Sequence, residues 1–132
     1  MQIHLEPGNG VPIYLQIVNQ VKYLVAAGRL SPGEELPPIR ALAEQLVINP
    51  NTVARAYREL ERQGFLVKRS TTGTFVSSSP DVLASRQGLA ELAGLVDRLL
   101  RQALEHGLGL DELVELVRQR SRDRATNQES ST

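Results

Sequence analysis

Cysteine is absent from the 132-residue chain, so a disulfide framework, a thiolate metal site and a thiol nucleophile are all excluded, and a reducing compartment is compatible. Aromatic residues are scarce, at 4%, although 41% hydrophobic content still allows a modest core for one ordinary domain plus an appendage. No apolar run approaches the roughly 18 residues of a membrane span, and MQIHLEPGNG has neither the basic nor the apolar region of a signal peptide. A soluble, cytoplasmic protein without a membrane partner is expected. His4 has no second His, Cys or acidic cluster at ligand spacing, so it reads as a plain surface side chain and no metal is expected. A glycine-rich phosphate loop and a histidine-carboxylate cluster are also missing, which leaves no basis for catalysis or for a cofactor.

Net charge is zero, which at first argues against a nucleic-acid partner, but the charge is unevenly placed. From Val47 to Ser77, Arg55, Arg58, Arg62, Lys68 and Arg69 stand against Glu59 and Glu61, a local net charge of +3; beyond Ser77 seven arginines face nine acids, a net of −2. Binding is decided by the local patch. Weak affinity for random DNA per monomer follows, so specific binding calls for two copies.

The basic patch falls in the stretch around which the chain is organised, Leu36 to Val76. After Pro37 and Pro38, the residues Ile39, Leu42, Ala43 and Leu46 recur at the spacing of one buried helical stripe. A second helix follows, with Asn49 suited to cap it and Pro50 to its first position. At about 100° per residue its faces separate: Val53, Ala56, Tyr57, Leu60 and Gly64 on one side, Asn51, Arg55, Arg58 and Arg62 on the other. Asn and Arg match the edges of adenine and guanine in a major groove, and Thr52 suits a phosphate or a thymine methyl. Two helices joined by a tight turn, the second polar and basic outward, read as a helix-turn-helix. Phe65 to Val67, the basic turn from Lys68 and Arg69 to Gly73, and Thr74 to Val76 then read as a hairpin, in which Gly73 supplies positive φ and close approach to a sugar-phosphate ridge.

These residues, LPPIRALAEQLVINPNTVARAYRELERQGFL followed by TTGTFV, resemble the DNA-binding domain of the GntR family of bacterial transcription regulators. With PIYLQIVNQVKYLVAAGRLSPGEELP upstream, the resemblance extends to the small YtrA-like branch, closely over roughly residues 10 to 77. It implies a winged helix in which Arg40 contacts the DNA backbone or a base, Asn49, Asn51, Thr52 and Arg55 read or clamp the major groove, and Thr71, Thr72 and Gly73 touch the flanking groove. It also implies a regulator encoded near transporter genes and answering to a cellular signal. The pyridoxal-phosphate domain of some larger relatives is not expected in a chain of this length. Two positions depart from the pattern: Pro38 stands where Ser is usual, and Val47 where the turn often has Gly, a strained choice for a β-branched residue at φ > 0.

Around this centre, Gln2 to Leu5 suggests a short extended arm, and Pro12 opens a scaffold helix whose stripe is Ile13, Ile17, Val21, Leu24 and Val25, ending at Gly28. Tyr14, Gln16 and Lys22 fall outside that stripe and read as solvated surface in preference to a phosphate or subunit contact. Arg29 to Glu35 reads as a loop turning at Pro32-Gly33. Ser77-Ser78-Ser79-Pro80 marks a boundary, after which Leu89, Leu92, Val96, Leu99 and Ala103 recur three and four residues apart, widened by Leu95, Leu100 and Leu104. His106 and Gly107 end that helix, Asp111 suits an N-cap, and Leu113, Val114, Leu116 and Val117 form a second amphipathic helix.

The expected fold is therefore mainly α (α+β): a winged helix-turn-helix over 1–77, a two-helix dimerisation and regulatory hairpin over 78–125, and a disordered tail over 126–132. Leu89, Leu92, Val96, Leu99, Leu100, Ala103, Leu113 and Val117 are the candidate dimer seam, weighed against the same stripe packing back on its own winged helix. A homodimer would set two recognition helices about one turn of DNA apart, on an inverted-repeat operator in double-stranded DNA. The expected function is a homodimeric repressor; an unknown small-molecule effector has room only if the dimer interface forms its pocket. The competing reading is a winged-helix protein-protein adaptor that does not bind DNA. Arg55, Arg58 and Arg62 on one face count against it, because adaptor surfaces are depleted in charge at their centres.

Overall fold

A computed structural model describes residues 1–69 and 73–130. Five helices and two strands follow in the order α1 (Ile13–Ala26), α2 (Ile39–Leu46), α3 (Pro50–Arg62), β1 (Leu66–Arg69), β2 (Gly73–Val76), α4 (Pro80–Glu105) and α5 (Leu110–Ser130). The chain divides into two compact units, Met1–Ala90 and Glu91–Thr132.

The first unit is built from the apolar stripes that the sequence displays. Ile17, Val21 and Val25 of α1, Leu42 and Ala43 of α2, and Val53, Ala56, Tyr57 and Leu60 of α3 are buried together. Helix α3 packs on both α1 and α2. Its start is fixed by Asn49, whose side-chain oxygen accepts the Asn51 N–H at 2.8 Å, with Pro50 in the first turn as expected. Between α2 and α3 the chain turns through Val47 at φ 56°, ψ 52°, a left-handed conformation that favours glycine. The Ile48 N–H returns to the Ala43 carbonyl at 3.0 Å, which closes α2 and aims the chain at the cap.

Strands β1 and β2 pair antiparallel, with Leu66 opposite Val76 and Arg69 opposite Gly73. Gly73, at φ +119°, adopts a conformation that favours glycine, and it sits against Glu35, whose carboxylate oxygen would lie 2.8 Å from a Cβ there and would have to swing aside. The segment 33–36, expected to be loop, runs along the other edge of β2. Gly33 N–H donates to Val76 O, Val76 N–H to Glu34 O, and Leu36 N–H to Thr74 O, all within 2.9 Å. Its two glutamates and flanking turn residues carry no strand alternation, so the pairing is dictated by the neighbouring edge alone.

Two further features of this unit differ from the sequence expectation. Gln16 is buried, and its amide ties down the loop before α1: it accepts from Glu6 N–H at 2.8 Å and donates to Glu6 O, Val11 O and Asn9 Oδ1. Lys22 is half-buried, donating to Gln63 Oε1 at 2.9 Å with its ammonium 5.3 Å from the Phe65 ring centre. The N-terminal arm is likewise anchored, with Ile3 buried in the core and the backbone of His4 bonded to the Gln20 amide.

The compositional break at Ser77 to Pro80 starts helix α4, but the packed unit runs on to Ala90. Ser79 Oγ donates to Gly64 O at 2.7 Å, Val82 is buried, and Arg86 Nε donates to Val25 O at 3.3 Å, so the first turns of α4 close the end of α1 and α3.

In the second unit, α4 continues to Glu105 and α5 begins at Leu110. Asp111 is therefore inside the first turn with Glu112 and does not cap; both acids favour that end through the helix dipole. Helix α5 extends to Ser130, through residues expected to be disordered. Local bonds run along it: Arg122 pairs with Glu115 at 3.2 Å, and Thr126 Oγ1 donates to the Arg122 carbonyl at 3.1 Å.

Of the candidate seam, Ala103 and Leu113 are already buried inside this unit, at the turn between α4 and α5. Leu89 is half-buried, whereas Leu92, Val96, Leu99, Leu100 and Val117 are exposed, along with Leu95 and Leu104. Helix α5 leaves most of the α4 stripe uncovered.

Candidate nucleic-acid interface

Helix α3 sorts its side chains as the sequence does. Val53, Ala56, Tyr57 and Leu60 face the core, Asn51, Arg55 and Arg58 are exposed, and Thr52 is half-buried at the boundary between the two faces. The buried face holds the helix so that the polar one projects. Tyr57 secures it further, because its hydroxyl donates to Pro37 O at 2.7 Å; burial pushes that phenol's pKa well above the ordinary value near 10.

The first turns of α1 and α3 lie side by side and form an open cleft of about 400 Å³ lined by Pro12, Ile13, Tyr14, Asn49, Asn51, Thr52 and Arg55. Four of the five residues that the sequence assigns to this end of the interface are thus brought together. The fifth, Arg40, is exposed on α2 and is not among the lining. Tyr14 was missed by sequence reasoning as part of the site. Its ring is half-buried against the core, and the Arg55 guanidinium carbon sits 3.8 Å from the ring centre. The signal was present as an aromatic residue one place outside the α1 stripe, but its partner lies 41 residues away in sequence and becomes its neighbour only when α1 packs on α3.

The cations of this side differ in their surroundings. Among the described residues, no acid lies within ion-pair distance of Arg40, Arg55, Arg58 or Lys68. Arg62 is different: it is paired with Glu59, which also accepts from Gln63. The Arg62 hydrogen bond, then that of Gln63, lowers the Glu59 carboxyl to about 2, so the pair stays ionised at neutral pH and the basic strength of α3 lies toward its start. On the wing, Arg69 lies 5.1 Å from the Phe75 ring centre and Lys68 is exposed. Thr71 and Thr72 fall outside the described residues. Asn49 has its carboxamide oxygen engaged in the cap bond, which fixes the side chain and leaves its amide nitrogen and the second lone pair of that oxygen to contact a groove.

Chemically, this arrangement offers hydrogen-bond donors and positive charge on a rigid helix beside a β-hairpin. Among the described residues no group of His, Cys, Asp or Glu is placed to hold a metal, and no helix is long and apolar enough to cross a membrane.

Comparison with known proteins points the same way. The profile of the family described as bacterial regulatory proteins, gntR family, matches residues 13–76. The chain is 34% identical over 121 residues to the HTH-type transcriptional repressor YtrA of Bacillus subtilis, covering 92% of this chain and 93% of that one. Among solved structures it is similar to YtrA of Sulfolobus acidocaldarius, a GntR-family transcription factor, with a TM-score of 0.57 and 34% identity over 75% of this chain and 97% of that one. It is also similar to the DNA-binding domain of AraR in complex with operator ORE1, with a TM-score of 0.50 and 26% identity over 58% of this chain and 94% of that domain. With the winged helix, its basic α3 and a similarity to YtrA that spans nearly the whole chain, this protein belongs to the GntR family of bacterial regulatory proteins.

Proposed function

We propose that the protein is a sequence-specific DNA-binding transcription regulator of the YtrA-like branch, acting as a homodimeric repressor on an inverted-repeat operator in the cytoplasm. The observation that carries the reading is the outward face of α3: Asn51, Arg55 and Arg58 are exposed beside Thr52, on a helix capped by Asn49, with no acid within ion-pair distance of either arginine among the described residues. Unneutralised arginines on an otherwise rigid helix suit guanine edges and phosphates. In this reading α3 enters the major groove, Arg40, Lys68 and Arg69 hold flanking phosphates, and the wing around Gly73, with Thr71 and Thr72, follows the adjacent groove. The operator complex of the AraR domain supports it by the likeness of the two folds.

The dimer half of the proposal is supported by the uncovered stripe Leu92, Val96, Leu99 and Leu100 with Val117. Covering such a stripe with its own copy would bury about 1,000 to 2,000 Å² in an interface of ordinary size. Two weak half-site contacts then become one strong one through effective concentration. Any small-molecule effector would have to lie in that interface. The repressor does not need catalysis, and no residue is assigned to it.

The test is electrophoretic mobility of the full chain with duplex DNA over a salt series. A DNA reader loses affinity steeply as salt rises, in proportion to the phosphates it neutralises. An unshifted duplex even at low salt would remove the proposal and leave the adaptor reading in its place.

A further inference from the structure

We propose that Tyr14 is a positioning residue for base reading, holding the Arg55 guanidinium over its ring at the edge of the α1–α3 cleft. The proposal rests on the assignment of Arg55 to the DNA-facing side made above. Three observations carry it. The guanidinium carbon is 3.8 Å from the ring centre, which is stacking distance. Tyr14 is half-buried against the core, so the ring is a fixed platform. Arg55 itself is exposed and, among the described residues, has no acid to hold it, so the ring is the contact that restricts it.

The chemistry of the pair explains why a ring serves better here than an acid. An acid would occupy the same N–H groups that a guanine needs and would cancel the charge. A π face takes only the flat side of the guanidinium, while its donors radiate in the plane and stay available to O6 and N7. Restricting a long, rotamer-rich side chain before binding also removes part of the ordering cost at the moment of binding. The effect is specific to the operator, because random DNA is held by charge, which Arg55 keeps wherever it points.

The experiment uses the full chain, an operator duplex selected by the wild-type protein from a random pool, and a random-sequence duplex. Tyr14→Met fills the site without a π face; it should weaken operator binding roughly three- to fivefold and random-duplex binding much less. Tyr14→Phe should recover most of that loss. In an Arg55→Ala background, Tyr14→Met should cost nothing further, since the group it positions is gone. Should Tyr14→Met fold poorly, ring-fluorinated phenylalanines at position 14 keep the shape while draining the negative face, and operator affinity should fall stepwise with fluorination. Equal losses on both duplexes, additive effects of the two substitutions, or a flat fluorination series would overturn the positioning role while leaving Arg55 as a reader. If Arg55→Ala alone leaves operator binding unchanged, the reading of α3 falls and the positioning role falls with it.

Discussion

Val47 holds a β-branched side chain at φ 56° in the turn that joins α2 to α3, and it is 89% exposed, so no packing offsets the strain. The turn needs this conformation because Ile48 must reach back to Ala43 before Asn49 can cap α3. Val47→Asn, which tolerates the left-handed region through its short polar side chain, should stabilise the fold by about 1 kcal/mol. Thermal unfolding would show this as a rise of a few degrees; an unchanged or lower midpoint would mean the turn is not strained. Tyr57 gives a pH prediction. Its phenol titrates above the ordinary value near 10 in the folded state because of burial, so the unfolded chain loses its proton first. The stability tied to the neutral phenol is fully present below about pH 10 and declines as pH rises beyond it toward the folded-state value. Tyr57→Phe should therefore flatten the alkaline limb of a stability-against-pH curve, at the cost of the bond to Pro37 O.

At the scale of elements, α3 is held by its cap and by its buried face, and the two can be separated. Asn49→Ala should destabilise by about 1 kcal/mol, and Asn49→Ser, which keeps a capping oxygen, should restore most of it. Denaturant titration of the three proteins measures this, and indistinguishable midpoints would remove the cap from the account. The helices α1 to α3 were legible because their stripes obey the helical period and their ends carry Pro, Asn and Gly; at Val47 the family resemblance implied only that glycine is often found there, and the geometry of the turn was not legible. What escaped was set by neighbours distant in sequence. Gln16 and Tyr14 lie off the α1 stripe, and nothing along the chain says that one is met by the loop before α1 and the other by Arg55. The pairing of 33–36 with β2 was hidden for the same reason, being a property of an edge that the segment happens to meet. The start of α5 lies two residues before the one that Asp111 as an N-cap would give, and at the C-terminus, where polar residues carry no apolar stripe, α5 continues through local bonds.

On the scale of the whole molecule, a net charge of zero hides a division of labour: a basic α3 and wing, and an α4 that carries a row of exposed leucines. The seam proposal places Leu99 where a charge cannot be buried without cost. Leu99→Asp should convert the dimer to monomer in sedimentation and, because half-sites are then bound singly, weaken operator binding far more than random-duplex binding. A sedimenting dimer in that variant would remove the seam. The central claim, that the outward face of α3 reads bases, is tested most directly by the affinity of Arg55→Ala for the selected operator and for its single-base variants. The account predicts a loss of about 1 to 3 kcal/mol on the operator together with relaxed preference at one base pair per half-site. Unaltered affinity and unaltered base preference would contradict it.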